Sequence, residues 1–283
     1  MTDIQTISDG LKLGQDGLWY SADTQPIYYP SDGNDAYFNI EDISFWFKHR
    51  NHCILSVVKL YPPEDGGTIF DVGGGNGFVS LGLANAGYDV ALVEPGQNGA
   101  LNAKRRGIQT VICATTDSAQ FKPHSLPAIG LFDVVEHIED DLSFLKSINK
   151  LLKPDGRLYL TVPAFPFLWS DEDVAAGHFK RYTVKSIRNV LEKAGFTVDF
   201  STYIFWFLPL PIMFLRMLPF RMGLTKTGTK IHNIPRDHAV KSGATSHLLD
   251  LLLRKEIDWL AQKKTIRFGS SCLVAAKPAE ELL

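Results

Sequence analysis

Between residues 68 and 200, short apolar runs alternate with stretches whose apolar side chains return every third or fourth position, which restricts the chain to one kind of architecture. Residues 68–72 (TIFDV) run straight into glycines, and 78–86 read as a helix closed by Gly87. Residues 89–94 (DVALVE) and 110–113 are strands on either side of a helical stretch at 98–106, and 128–133 is a further strand. Leu142, Leu145, Ile148, Leu151 and Leu152 mark one face of a helix that stops at Lys153-Pro154-Asp155-Gly156. In that turn proline presets one dihedral and the glycine is expected at positive φ. A strand at 157–162, a helix marked by Val184, Ile187, Leu191 and Ala194 and ended by Gly195, and a strand opening at 196–202 complete the series. Strands spaced by helices in this way are parallel and joined by crossovers, so the expected fold is an α/β sheet with helices on both faces. A ligand then belongs at the carboxyl ends of the strands.

The flanking segments behave differently. Residues 1–37 show no sustained period and read as a partly extended arm, whereas 38–60 (FNIEDISFWFKHRNHCILSVVKL) is dense enough in aromatic and aliphatic residues for a packed helix, ended by Pro62 and Pro63. Beyond the series, 203–215 (YIFWFLPLPIMFL) carries no charge, but it is broken by Pro209 and Pro211 and is shorter than the roughly 20 apolar residues of a bilayer span. Arg216, Arg221, Lys226, Lys230, Arg236 and Lys241 follow against the single acid Asp237, a net charge of +5. An apolar segment beside a basic one reads as an interfacial anchor on an anionic membrane or a lid over an amphipathic substrate. The plainer alternatives are a sixth strand with its packing helix, or an oligomer interface. Residues 248–261 read as an apolar helix and 270–276 as the last strand. The expected division is therefore an arm at 1–37 and one domain at 38–283, with an insertion at 203–264.

Whole-chain charge hides that asymmetry. Lys and Arg number 29 against 31 Asp and Glu, which removes any global electrostatic reason to expect a nucleic-acid binder. With 45% hydrophobic and 21% charged residues the chain is not disordered. Cys53, Cys113 and Cys272 form no pair at metal-ligand spacing, and their odd number suits a reducing compartment. Residues 1–10 lack the basic-then-apolar order of a signal peptide. The expected location is cytoplasmic, with peripheral membrane contact through 203–241 left open.

The glycines after the first strand of the series narrow the ligand. Ile69-Phe70-Asp71-Val72-Gly73-Gly74-Gly75-Asn76-Gly77 places Gly73, Gly75 and Gly77 at the start of a helix. A dinucleotide fingerprint would need glycine where Phe78 stands, and a P-loop would need a following G-K-[ST], which is absent. The carboxylate of Asp71 sits poorly beside a pyrophosphate and well beside a cation. S-adenosylmethionine meets the requirement, with a positive sulfonium, a positive amino group and no phosphate. Glu94, ending the next strand, is placed to accept hydrogen bonds from both ribose hydroxyls.

At these residues the sequence resembles the class I S-adenosylmethionine-dependent methyltransferases, whose first motif is an apolar strand ending in D-x-G-x-G-x-G. Leu131-Phe132-Asp133-Val134-Val135-Glu136-His137-Ile138 is similar to the F-D-V-x-E-H-I motif of the ubiquinone-biosynthesis-like branch. Val162 to Pro166, Leu168-Trp169-Ser170, Asp173, Gly177-His178 and Arg181-Tyr182-Thr183 resemble a longer signature in that branch. The resemblance implies a Rossmann-like, seven-stranded, mostly parallel sheet whose last strand is antiparallel. It also implies that Asp71, Gly73, Gly75 and Gly77 hold the methionine part, Glu94 the ribose, Thr115 and Thr116 the adenine, and Phe132 and Asp133 the strand-four side. Arg50 is a candidate partner for the methionine carboxylate.

The reaction implied is methyl transfer, with S-adenosylhomocysteine as product, most simply to oxygen on a small or lipid-like metabolite. Alternatives are a nucleotide-dependent oxidoreductase and a cofactor-binding module without turnover. In-line displacement rests mainly on positioning, and a base is needed only for a protonated acceptor. His137 and His178 are the candidates for that proton transfer. Asp133, Glu136 and His137 share a face if a helix has begun there, and His178, Arg181 and Tyr182 repeat the spacing. Trp169, Arg181 and Tyr182 are expected toward the acceptor, with Arg181 alternatively pairing with Asp171 or Asp173. Glu136 with His137, and Asp140 with Asp141, lack an identifiable third ligand, so no metal is expected.

Overall fold

The computed structural model describes residues 2–21, 38–224 and 244–280. Its centre is a set of parallel strands: β3 (Ile69–Val72), β4 (Val90–Val93) and β6 (Leu126–Phe132), buried along their whole length, and β5 (Thr110–Cys113), buried except at Cys113. Apolar runs with no polar alternation are what a sheet covered on both faces requires. β7 (Leu152–Pro163) lies parallel to β6, while β9 (Ser271–Pro278) is inserted antiparallel between β7 and β8 (Phe196–Ile204). With β1 (Leu11–Leu13) and β2 (Trp19–Ser21) at one edge, the strand order is β1-β2-β5-β4-β3-β6-β7-β9-β8.

The pleat divides the core into two layers. Leu158, Leu160 and Val162 of β7 face one layer, with Leu145 and Ile148 of α5 (Asp141–Leu151) and Ile187 and Leu191 of α7 (Val184–Lys193). Tyr159, between them in sequence, faces the other, with Ile54, Val57 and Val58 of α2 (Phe45–Leu60), and Val79 and Leu83 of α3 (Phe78–Asn85). Alternate residues of a strand point to opposite faces, so one run of sequence feeds both layers. α4 (Gln97–Arg105) packs its small residues Ala100 and Ala103 against Leu92 and Val111.

Several expectations need correction. The sheet has nine strands and not seven: after a short helix, α1 (Ile4–Ile7), the expected arm supplies β1 (Leu11–Leu13) and β2 (Trp19–Ser21), and β2 pairs parallel with β5. Three-residue strands without a hydrophobic period carry almost no sequence signal, and only the open edge of β5 organises them. The aromatic helix is interrupted at 42–44, where Ser44 caps α2 by accepting a bond from the Trp46 amide. Residues 153–156 do not end the pairing with β6, which resumes at Ala128 and Arg157 after Leu126 and Leu152. Gly156 is absent from the positive-φ positions. Its reason is space, because a Cβ there would lie 2.9 Å from the Lys153 carbonyl oxygen.

The apolar run first completes β8 and then leaves the sheet at Phe205, whose φ is 58°. A helical segment follows, from Pro209–Ile212 through a π turn at Met213–Met217 to Leu218–Arg221. Lys226, Lys230, Arg236, Asp237 and Lys241 lie outside the described residues. The chain returns as α8 (Ala244–Ala261), which packs on α2. Glu256 of α8 is fully buried there; it bonds His49 at 2.9 Å and accepts the amides of Phe205 at 2.7 Å and Trp206 at 2.9 Å. Among the described residues no helix is long and apolar enough to cross a membrane.

Candidate active site

The carboxyl edge of the parallel strands gathers most of the residues singled out in the sequence. β3 is followed by Gly73, Gly75 and Gly77, all at positive φ, where an L side chain is strained. At Gly73 space is also lacking, since a Cβ would stand 2.7 Å from a Val134 methyl. The loop therefore presents bare backbone to whatever lies above it. Asp71 is not in the open cleft: its carboxylate is buried and accepts the Ser80 hydroxyl of α3 at 2.6 Å, which braces the loop from beneath. Burial pushes its pKa up to about 6, against the pull of Ser80 and Arg50.

Glu94 follows β4 and faces the same loop. Its Oε2 accepts the Gly75 amide at 2.9 Å and its Oε1 the Gly96 amide at 2.7 Å. Burial raises its pKa to about 7, with the two amides opposing the rise. Across the loop, Arg50 of α2 pairs with Asp133, its guanidinium lying 4.8 Å from the centre of the Trp46 ring, and its Nε is buried without a partner. Asp133 has φ 59°, a conformation that Asp tolerates better than most residues, and its Oδ1 accepts the Thr161 hydroxyl at 3.0 Å. Phe132, the last residue of β6, is buried against the α2 layer. Thr115 spends its hydroxyl within the turn after β5, exchanging bonds with Ser118, and Thr116 beside it is half-buried.

After β6 the fold joins residues that the sequence left apart. His137 sits in a single tight turn, Val135–His137, and the His178 ring packs edge-on against it with centroids 4.8 Å apart. His178 Nδ1 lies 2.9 Å from Asp173 Oδ1, and Arg181 Nε donates to the same oxygen at 2.7 Å. Burial, with repulsion from His178 second, holds His137 down at about 4, so its ring is neutral at neutral pH. Glu136 is buried beneath them, its carboxyl pushed well above the usual range by burial and by Asp133. Ligand atoms of Glu136, His137 and His178 all lie within 4.8 Å of one another. His178, some forty residues along the chain, thus stands where the sequence offered no third candidate beside Glu136 and His137.

Tyr182 is placed differently from the other two candidates: it is buried and its hydroxyl donates to Asp141 at 2.8 Å. Residues 178–183 are not helical; Tyr182 forms a bridge with Ala164, and in extended backbone Arg181 and Tyr182 point opposite ways. Arg181 is engaged with Asp173 and the Ala164 carbonyl, the second of the two readings given to it. Trp169 is half-buried at the end of the turn Pro166–Leu168. Phe165, which the sequence places with Phe167 and Trp169 among aromatics near the cleft, stacks on Tyr203 at 4.8 Å and also meets Phe268 at 5.1 Å, two partners distant in the chain. A groove of about 500 Å³ lined by Val184, Arg188, Ser201 and Arg267 lies instead on the edge strand β8, far across the sheet from Glu94, so volume alone does not locate the site.

A sheet in which an antiparallel strand separates the last two, with a glycine loop at the carboxyl end of β3, is the arrangement of the class I S-adenosylmethionine-dependent methyltransferases. Residues 46–199 match the family described as a methyltransferase domain, and the chain belongs to that family. It is 29% identical to a ubiquinone biosynthesis O-methyltransferase of Vibrio cholerae over 102 residues, 34% of this chain and 42% of the relative. A protein of the same name from Xylella fastidiosa is 29% identical over 117 residues, 39% of this chain and 48% of the relative. The chain thus spans less than half the length of these curated relatives. Among solved structures, Haemonchus contortus phosphoethanolamine N-methyltransferase 2, in complex with phosphomonomethylethanolamine and S-adenosylhomocysteine, has a TM-score of 0.56 at 17% identity, covering 89% of this chain and 59% of that one. The YcgJ protein of Bacillus subtilis has a TM-score of 0.51 at 15% identity, covering 81% and 99%.

The cofactor of this class is S-adenosylmethionine. The residues present fit it: a glycine loop in which a Cβ at Gly73, Gly74 or Gly77 would crowd a neighbouring side chain, a carboxylate with a lone pair left on each oxygen, and an arginine with an unsatisfied buried Nε beside the loop.

Proposed function

We propose that this chain transfers the methyl group of S-adenosylmethionine to an oxygen of a small or lipid-like acceptor and releases S-adenosylhomocysteine. The observation that carries the reading is Glu94, fixed by the Gly75 and Gly96 amides at the height of the glycine loop. So held, it accepts both ribose hydroxyls. Arg50 takes the methionine carboxylate, Asp71 braces the loop, Phe132 and Asp133 line the strand-four side, and Thr115 and Thr116 border the adenine. The cofactor supplies an electrophilic methyl group on a sulfonium, and the protein's task is to aim an oxygen at it and exclude water.

The similarity to the ubiquinone O-methyltransferases supports oxygen as the acceptor atom. As that oxygen bonds to the methyl carbon, the carbon–sulfur bond breaks and the acceptor's proton passes to a ring nitrogen of His137. A neutral ring is ready to accept it. With a pKa near 4 it is a weak base, which suits an acceptor whose own proton is acidic, such as a phenol or enol. His178 is steadied through Nδ1 by Asp173, and Asp173 by Arg181.

A second reading of the same three groups has its own observation, because Glu136 Oε2 is buried with no hydrogen-bond partner. A divalent cation held by Glu136, His137 and His178 would satisfy that oxygen and polarise the acceptor oxygen. Calorimetry with S-adenosylhomocysteine, followed by turnover with acceptors that co-purify with the protein, tests the whole reading. Binding with no turnover on any acceptor would favour a cofactor-binding module, and no binding would refute the site. Turnover abolished by a chelator and restored by a divalent cation would select the second reading over the first.

A further inference from the structure

We propose that the helical segment at 209–224 is a membrane-docking surface that lies in the headgroup region of an anionic bilayer. The segment is amphipathic in the wrong sense for a water-facing helix. Leu210, Phe214, Leu218 and Met222 recur at every fourth residue and are all exposed, Leu215 and Leu224 widen the strip, and the residues turned inward are Pro209 and Met217. Phe214 is 59% exposed and Leu215 74%. Helical residues four apart share a face, so this is one apolar ridge pointing outward.

The polar groups of the segment are spent on holding it down. Arg216 pairs with Glu172 of the helix α6 (Asp171–Ala176), and Arg221 Nη2 donates to the Phe167 carbonyl at 3.2 Å. The ridge is therefore fastened to the loop after β7, the same loop that carries Trp169 and, further on, His178. Phe167 and Phe268, both partly exposed, continue the apolar surface toward Phe165.

Charge selects a bilayer over a protein partner. Residues 225–243, immediately after the ridge, carry Lys226, Lys230, Arg236 and Lys241 against Asp237 alone. An exposed apolar ridge followed directly by cations of one sign matches the hydrocarbon boundary and anionic headgroups of a membrane surface. No described helix is both long and apolar enough to cross a membrane, and the contact proposed is peripheral. Docking there would bring the loop that carries Trp169 and His178 toward the lipid surface, from which an amphipathic acceptor could enter without crossing water. The docking surface stands independently of the methyl-transfer reading, which cofactor binding tests by itself.

The test is flotation of the full chain with vesicles of equimolar phosphatidylcholine and phosphatidylglycerol, and with phosphatidylcholine alone. The expected result is flotation with the anionic vesicles, weakened by salt and by loss of the anionic lipid. The double variant Phe214→Glu, Leu215→Glu, which alters two exposed side chains, is expected to lose about ten-fold or more of the bound fraction. Its S-adenosylhomocysteine affinity should equal that of the unaltered protein, which shows that it is folded. The proposal is overturned if the unaltered protein stays at the bottom of the gradient with anionic vesicles, or if the folded double variant floats as well as it does. It is equally overturned if sedimentation shows a dimer that the double variant dissolves while neither protein binds vesicles, which would make the ridge an interface between copies.

Discussion

Replacing Glu94 by glutamine tests the site where it is best defined. The carboxylate accepts two backbone amides, one on each oxygen. A glutamine side chain has only one acceptor oxygen, so whichever way its amide is turned, an NH2 group faces either the Gly75 or the Gly96 amide. Two donors opposed in a buried place cost about 1–3 kcal/mol of stability. Loss of charge-assisted bonds to the ribose costs about 2 kcal/mol of binding, roughly thirty-fold in the dissociation constant of S-adenosylhomocysteine. The pH dependence has a definite sign. Burial raises Glu94 from 4.5 to about 7, so between those values the unfolded chain has ionised while the folded one has not, and this group's contribution to stability falls as pH rises through that window. Hydroxyl donors favour the ionised form, so cofactor binding should release a proton below about pH 7 and tighten as pH rises toward it. Calorimetry in buffers of different ionisation enthalpy reads that proton directly. The reasoning fails if Glu94→Gln binds S-adenosylhomocysteine within about two-fold of the unaltered protein, or if the unaltered protein releases no proton on binding at mildly acidic pH.

Further outcomes are expected at His137 and His178, at Tyr182 and at Glu256. His137→Asn and His178→Asn should each lower kcat by about a hundred-fold or more while leaving S-adenosylhomocysteine affinity unchanged; a parallel loss of both would mean that the pair only supports the fold. His137→Asn should also flatten the acid limb of stability, because between 6.5 and about 4 the unfolded histidine binds a proton that the buried one refuses. Tyr182→Phe should cost about 1 kcal/mol or more in denaturant unfolding, since Asp141 loses its hydroxyl donor, with no change in acceptor KM. A changed KM would return Tyr182 to the acceptor site. Glu256→Ala strands His49 and the amides of Phe205 and Trp206 in a buried place and should cost about 3–5 kcal/mol. Glu256→Gln, which keeps an acceptor for one of those amides, should recover part of the lost Tm.

The sequence by itself determined what is local or periodic. Uniformly apolar runs such as those of β4 and β6 belong to the middle of a covered sheet, and glycines directly after a strand need the left-handed backbone found at Gly73, Gly75 and Gly77. Order along the chain then placed Asp71, Glu94 and Asp133 at one edge, because parallel strands bring their carboxyl ends together. Tertiary structure decided everything that depends on partners distant in sequence or on the direction of a side chain. β1 and β2 exist because β5 offers an unpaired edge, a property of the assembled sheet that no three-residue run announces. The spacing of His178, Arg181 and Tyr182 suggested one shared face, but extended backbone turned Tyr182 into the core and left His178 beside His137. Glu136 and His137 met His178 only when the loop after β7 folded back over the turn at 135–137. In the same way the apolar run after β8 could have been strand, lid or anchor. Its outward-facing ridge was decided by where Arg216 and Arg221 found acceptors, since a helix's inner face is chosen by what it packs on and hydrophobicity alone does not say which side will meet water.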